Sequence, residues 1–291
     1  MRYWRLKPDA RLRPRVLCYF WVDPKADSGS RGEVPRRWQP QLLLPDGYSE
    51  VVFCVSGRFE RRPLGEGRHA AVMSSSYLIG GRSHSVLTRN LSDIQLAGVK
   101  LDSRFLRSII KTPLSEFRDA TLALSDLDAN RLRSLEDAVL NARSPAEMKH
   151  CLDLFFLQAL RNLQPEEGMT SALRNRIQLS RGTLSIMKWA RAAYVDARRM
   201  ERTFCADMGM TPKQYARIVR FKQSYARLML TGRKPGELKT HLDGYYDQSH
   251  FDREFRKFLG VAPRLKREDP MLPVTTVSDH LLEGELQSTG D

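Results

Sequence analysis

Asp247-Gln248-Ser249-His250-Phe251-Asp252-Arg253-Glu254-Phe255-Arg256-Lys257-Phe258, followed by Leu259-Gly260-Val261-Ala262-Pro263, is the stretch that decides the reading of this chain. Asp247 has the chemistry of a helix N-cap. Phe251 and Phe255 lie four apart and share one face of the helix that follows, while Arg253 lies away from them. An earlier stretch repeats the unit: Asp196-Ala197-Arg198-Arg199-Met200-Glu201-Arg202-Thr203-Phe204. Met200 and Phe204 stand where Phe251 and Phe255 stand, and Arg202 takes the place of Arg253. Met208-Gly209-Met210-Thr211-Pro212 then matches the Gly and Pro that close the later copy. Gly ends a helix with positive φ, and Pro suits the first turn of the next.

Working outward, Leu184, Met187, Ala190 and Ala193 fall on one helical face with Trp189 beside them. A tight turn separates them from the helix that Asp196 caps. The second helix then shows Arg198, Glu201 and Arg202 on its outer face. This is how a helix-turn-helix offers its second helix to the major groove, where arginine reaches N7 and O6 of guanine. Alone, the first copy also fits an ordinary helical hairpin with a solvated face; the duplication favours the nucleic-acid reading. Between the copies, Thr211 caps, Pro212 opens, and Tyr215, Ile218, Lys222 and Tyr225 repeat at helical spacing. A helix from Thr211 to Leu230 would be about 30 Å long, against about 34 Å between successive major-groove faces.

The charge points the same way. The chain has 291 residues and a net charge of +14. Residues 170–269 hold 22 basic and 10 acidic side chains, whereas residues 1–169 hold 26 and 20, and residues 270–291 hold four acids and no Lys or Arg. A local surplus of this kind concentrates a polyanion. At 41% apolar residues the chain is not disordered. Its longest aliphatic-aromatic run, Val16 to Val22, is seven residues, far short of the roughly 20 that span a membrane. Arg2, Arg5, Lys7, Arg11, Arg13 and Arg15 interrupt any apolar opening, so a secretory signal is not expected and a cytoplasmic location is. Cys18, Cys54, Cys151 and Cys205 form no C-x-x-C and read as buried free thiols.

The first half reads as β-rich. Val16–Val22, Gln41–Leu44, Glu50–Val55, Ala70–Ile79 and Ile94–Leu101 are short apolar or alternating runs between Gly, Pro, Asp and Ser clusters, as in a barrel or sandwich. Pro45-Asp46-Gly47 marks a turn, and Ala26 to Arg37 a loop. Helical spacing begins near residue 103 with Phe105, Leu106, Ile109 and Ile110. It continues with Leu132, Leu135, Ala138 and Val139, and then, opened by Pro145, with Met148, Leu152, Phe155, Phe156, Ala159 and Leu160. The last two stripes read as intramolecular core or as a dimer contact. The fold class is α+β. Residues 1–163 form a β-rich domain with trailing helices, 164–170 a linker, 171–267 an all-α domain, and 268–291 an acidic tail.

The motifs resemble the AraC/XylS family of transcription regulators. The resemblance rests on Asp196 to Phe204, on Gly209-Met210-Thr211-Pro212-Lys213-Gln214-Tyr215, and above all on Gly244-Tyr245-Tyr246-Asp247-Gln248-Ser249-His250-Phe251-Asp252-Arg253-Glu254-Phe255 with Gly260-Val261-Ala262-Pro263. It covers about a third of the chain. It implies two helix-turn-helix units on a linker helix, binding double-stranded promoter DNA. Carried over, the base-reading residues are Arg198, Glu201 and Arg202 in the first unit and Gln248, Ser249 and Arg253 in the second, with Met200, Phe204, Phe251 and Phe255 as core. Tyr194 departs from the family by standing where the first turn usually has Gly. Lys239 and Thr240 depart where the second unit's first helix is usually apolar then Ala.

The N-terminal half is similar to the cupin-like domain that precedes this module in one branch of the family, through Leu44-Pro45-Asp46-Gly47, Val51-Val52-Phe53 and Ala97-Gly98-Val99-Lys100-Leu101. Such domains often sense a small molecule or dimerise. His69 and His84 lack the H-x-H pair and nearby Glu of a cupin metal site, so no metal, cofactor or catalytic residue is expected. The expectation is a non-enzymatic regulator whose partners are promoter DNA, a small-molecule effector, a second copy of the chain and RNA polymerase. The alternatives are a cupin-type metal enzyme with a basic accessory module, and a sequence-neutral nucleic-acid binder.

Overall fold

The computed structural model describes residues 2–23, 40–65, 69–127, 130–161, 168–231 and 244–259. The expected loop at Ala26–Arg37, linker residues 164–167, Lys239 and Thr240, Gly260 to Pro263 and the acidic tail lie outside them.

Among the described residues, ten strands build the N-terminal half: β1 (Arg2–Leu6), β2 (Val16–Asp23), β3 (Gln41–Leu43), β4 (Ser49–Ser56), β5 (Phe59–Pro63), β6 (Ala71–Met73), β7 (Tyr77–Ile79), β8 (Val86–Asn90), β9 (Gln95–Leu101) and β10 (Thr121–Ala123). They form a six-stranded sheet ordered β1-β2-β9-β4-β7-β10 and a four-stranded sheet ordered β3-β8-β5-β6. Every pairing is antiparallel. Each run expected to be a strand contains one, although Ala70–Ile79 is two strands broken at Ser74-Ser75-Ser76.

The larger sheet is buried on both faces, and the period-2 alternation assigns each side chain to a layer. On β4, Val51 and Phe53 join a core with Tyr19, Trp21 and Val99 under the helices, while Val52 and Cys54 join Val22, Tyr77, Leu96 and Phe59 between the sheets. The helical layer is α1 (Ser103–Ile110), α2 (Asn130–Leu140) and α3 (Pro145–Arg161). Leu132, Leu135 and Val139 of α2 and Met148, Leu152 and Phe156 of α3 are buried in that same core. Those parts of the two stripes are therefore spent on the molecule's own interior rather than offered to a second copy.

The regular elements among the described residues of the second half are helices: α4 (Met169–Leu179), α5 (Ile186–Ala192), α6 (Ala197–Met208), α7 (Pro212–Thr231) and α8 (Gln248–Leu259). The architecture is thus α+β, a cupin-like double sheet with trailing helices followed by a helical domain. No described helix is long and apolar enough to cross a membrane.

The two halves share a core. Leu42 and Leu44 are buried in one cluster with Met208, Met210, Tyr215 and Phe221. The Pro45-Asp46-Gly47 turn forms as expected, with Gly47 at φ +81°; a Cβ there would sit 2.6 Å from Cε2 of Tyr215 on α7. Asp102 caps α1 by accepting from Arg104 N (2.9 Å) and also pairs with Arg174 of α4 at 2.5 Å. Arg174 in turn donates through Nε to the Tyr215 hydroxyl (3.2 Å), so α4 ties the β domain to α7. Arg107 of α1 pairs with Asp207 near the end of α6, and Thr170 bonds the other Asp207 oxygen at 2.5 Å.

Candidate nucleic-acid interface

The first unit is α5, a turn and α6. Asp196 caps α6 by accepting from Arg199 N at 2.7 Å. Gly209 ends it in the left-handed region at φ +69°, donating its N–H to the Cys205 carbonyl at 2.9 Å. Met200, Phe204 and Met208 are buried along the inner face. Arg198, Glu201 and Arg202 are all exposed, so the outer face expected from spacing is present. Two details of α5 differ from expectation. The helix is only Ile186–Ala192, and it buries Ala190 while Met187 is 53% exposed. The inward side is formed by Ile186, Trp189 and Ala190, at i, i+3 and i+4, and Met187 lies off that side.

The turn explains the departure at Tyr194. Its φ is +53°, so this position does need the backbone conformation that Gly adopts freely. The side chain is 97% exposed and packs on nothing that would compensate.

Thr211 and Gln214 open α7 with a reciprocal cap: Gln214 N donates to Thr211 Oγ1 (3.1 Å) and Thr211 N to Gln214 Oε1 (2.9 Å). Tyr215 stacks obliquely on Phe204 of α6, with centroids 5.9 Å apart. Further along, Phe221 packs on Phe258 (4.4 Å) and Phe255 (5.6 Å) of α8. One helix therefore carries both arginine-bearing helices.

In the second unit, Asp247 caps α8 by accepting from His250 N at 2.6 Å. Phe251, Phe255 and Phe258 are buried, Ser249 and Arg253 are exposed, and Gln248 is half-buried, its amide donating to Asp252 at 2.8 Å. Sequence reasoning missed Glu254. It is 6% exposed and faces α7, where Oε1 takes Arg217 Nε at 2.5 Å and Oε2 takes Arg220 Nη2 at 3.0 Å. Arg220 also lies 4.9 Å from the Tyr245 ring centroid. The available signal was a carboxylate one residue before Phe255 on the inner arc of the helix, but that position also fits a surface ion pair.

The β domain touches the trailing ends of both helices rather than their outer faces. The Ser85 hydroxyl donates to the Phe258 carbonyl, and Gly81 is packed against Met208 and Met210. Lys222 of α7 donates to the Asp46 carbonyl at 3.3 Å, and burial pushes its ammonium pKa down against the opposing pull of Asp46.

The histidines weighed for a metal, His69 and His84, line one cavity of the β domain. Among the described residues no group of three His, Cys, Asp or Glu is arranged to hold a metal ion. Cys18 and Cys54 are buried and Cys151 and Cys205 half-buried, all as free thiols. Burial raises the pKa of Cys18, Cys54 and Cys205, which keeps them protonated and inert.

Residues 189–269 match the family model of a helix-turn-helix domain, and residues 4–123 match that of a domain of unknown function. A search of curated proteins finds none that matches. Among solved structures, ToxT from Vibrio cholerae is 13% identical, covering 83% of this chain and 96% of its own, with a TM-score of 0.43. ToxT of strain SCE256, solved with an unsaturated fatty acid bound, is 11% identical over 81% and 95%, with a TM-score of 0.41. The AraC-like transcriptional activator CuxR is 15% identical over 78% and 95%, with a TM-score of 0.27. The family match and the capped helices α6 and α8 on their shared α7 agree: residues 189–269 carry a helix-turn-helix domain, as the resemblance to AraC/XylS regulators implies.

Proposed function

We propose that the protein reads promoter DNA in two adjacent major-groove segments, and that its β domain adjusts this binding in response to a small molecule. Arg198, Glu201 and Arg202 read the first segment; Gln248, Ser249 and Arg253 read the second. Other Lys and Arg side chains of the helical domain meet phosphate and supply most of the affinity, while the two outer faces supply the choice of sequence.

The observation that carries this reading is the shared mounting of α6 and α8 on α7, with both arginine-bearing faces exposed. At 1.5 Å per residue the 20 residues of α7 make a rod about 30 Å long, on which α6 packs at Tyr215 and α8 at Phe221 and Tyr225. Effector control is supported by the contacts of Asp46, Gly81 and Ser85 with this assembly. A ligand acts there by favouring one arrangement of the two halves over another. A second copy of the chain and RNA polymerase are the further partners of this reading, which places a non-enzymatic regulator in the cytoplasm.

Selection of bound duplexes from a random pool with the full-length protein tests it. The expected result is a consensus with two blocks about one helical turn apart. Recovery of unrelated sequences would instead indicate a sequence-neutral binder.

A further inference from the structure

Two of the cavities formed by the described residues lie in the β domain. The first, of about 110 Å³, is walled largely by aromatic and aliphatic groups, and its charged pair, Lys100 and Glu50, is internally satisfied at 3.1 Å. The second, of about 220 Å³, is lined by Arg61, Arg82, His69, His84, Asp119 and Thr121, among others. Arg61 and Arg82 are 4% and 3% exposed. Arg82 gives Nη2 to Glu50 at 2.8 Å, but its Nε and Nη1 have no hydrogen-bond partner among the described residues. Arg61 gives Nη1 to Thr121 Oγ1 at 2.9 Å and lies 5.1 Å from the Tyr77 ring centroid; its Nε is likewise unpartnered. Among the described residues no carboxylate forms an ion pair with Arg61.

A buried guanidinium without a counter-charge is costly, and buried charges in stable proteins are paired. The carboxylate on the cavity wall does not supply the pairing. Asp119 is taken by Ser83 N and Ser83 Oγ, both at 2.7 Å, and by His84 Nδ1 at 3.0 Å. What remains is three unpartnered donor nitrogens on two guanidinium groups, chemistry that matches the oxygens of a carboxylate or phosphate. The cavity is smaller than the roughly 300–1,000 Å³ of drug-sized ligand sites, so the occupant is compact.

We propose that this cavity binds a compact anion carrying carboxylate or phosphate groups, gripped by the guanidinium groups of Arg61 and Arg82. The segment that carries Arg82 also touches the DNA-binding half on both sides. A Cβ on Gly81 would sit 2.4 Å from the Met208 carbonyl oxygen at the end of α6, and the Ser85 hydroxyl bonds the Phe258 carbonyl near the end of α8. Glu50, which holds Arg82, also pairs with Lys100, which pairs with Asp46, whose carbonyl accepts from Lys222 in the middle of α7. An anion drawing on Arg82 is therefore placed to be felt by both reading helices. The site names the chemical class of effector for the regulatory reading above and rests on that reading only for its consequence at DNA.

The test uses full-length protein titrated with malonate and with inorganic phosphate, at ionic strength held constant with chloride, followed by calorimetry and thermal melting. Saturable binding of at least one of the two is expected, weakened at least about tenfold by Arg61→Met. Arg61→Lys keeps the charge and loses the fork, so it carries the test should the Met variant not fold, and a fall in its affinity is expected. Failure of both anions to saturate, or unchanged affinity in the folded variants, would overturn the proposal. Operator selection without added anion tests the DNA reading separately, so the two fail independently.

Discussion

Glu254→Gln removes the charge that clips α8 to α7. Losing one partner of a buried pair costs about 3–5 kcal/mol when the other charge stays buried. Here the two arginines left behind, Arg217 and Arg220, are 28% and 14% exposed, so water recovers part of that cost. Gln also keeps one acceptor in place. A loss of about 2 kcal/mol in the docking of α8 follows, since the aromatic packing of Phe255 and Phe258 on Phe221 is untouched. At about 1.4 kcal/mol per tenfold, amides of α8 should exchange with solvent roughly 30-fold faster, while those of α6 stay unchanged. Hydrogen-exchange mass spectrometry on peptides covering residues 248–259 and 197–208 reads the difference. Replacing the cluster with apolar side chains, Glu254→Leu with Arg217→Met and Arg220→Met, should restore much of the protection. Unchanged exchange in α8, or acceleration shared equally by α6, would refute the reasoning.

Tyr194→Gly should stabilise the protein by about 0.5–1 kcal/mol, because relief of the left-handed conformation outweighs the added freedom of the unfolded chain; a fall in melting temperature contradicts this. Gly209→Ala places a Cβ 2.8 Å from Gly81 N at φ +69°, and chemical denaturation should show a loss of at least about 2 kcal/mol. Burial alone pushes the Asp119 carboxyl up, but hydrogen bonds from His84 and Ser83 outweigh it and hold the pKa at about 2. Because the folded value is depressed, this stabilisation is full above about pH 4 and is lost as pH falls toward 2. Asp119→Asn should then cost on the order of 2 kcal/mol at neutral pH and flatten the acid limb of the melting curve in that window; an acid limb identical to wild type argues against it.

The helical half was legible because its signals are local. Asp196, Thr211 and Asp247 each form the cap their chemistry implies, Gly209 takes the positive φ, and the i, i+4 pairs face inward. The β half was legible only where strands are apolar. Strands β5 (FERRP) and β8 (VLTRN) escaped notice because polar residues interrupt them, and in β5 one of the two buried positions is Arg61 itself. Strand β1 (RYWRL) does not alternate, and its arginines read as a charged opening. The contact between the halves has no sequence signature at all. Asp46, Gly81 and Ser85 matter through what lies opposite them, more than 100 residues away in the chain. Glu254 and Arg82 were hidden for the same reason, since a charge on an element reads as solvated until its surroundings are known.

The central claim is that α6 and α8 read separate segments of one duplex. Arg202→Ala and Arg253→Ala, each put through random-pool selection beside the unaltered protein, test it most directly. Each variant should lose about 1–3 kcal/mol on the selected operator. Each should relax the consensus in its own block only, with the two blocks about 10 base pairs apart. Relaxation of the same positions by both variants, or equal loss on operator and random DNA, would contradict the account.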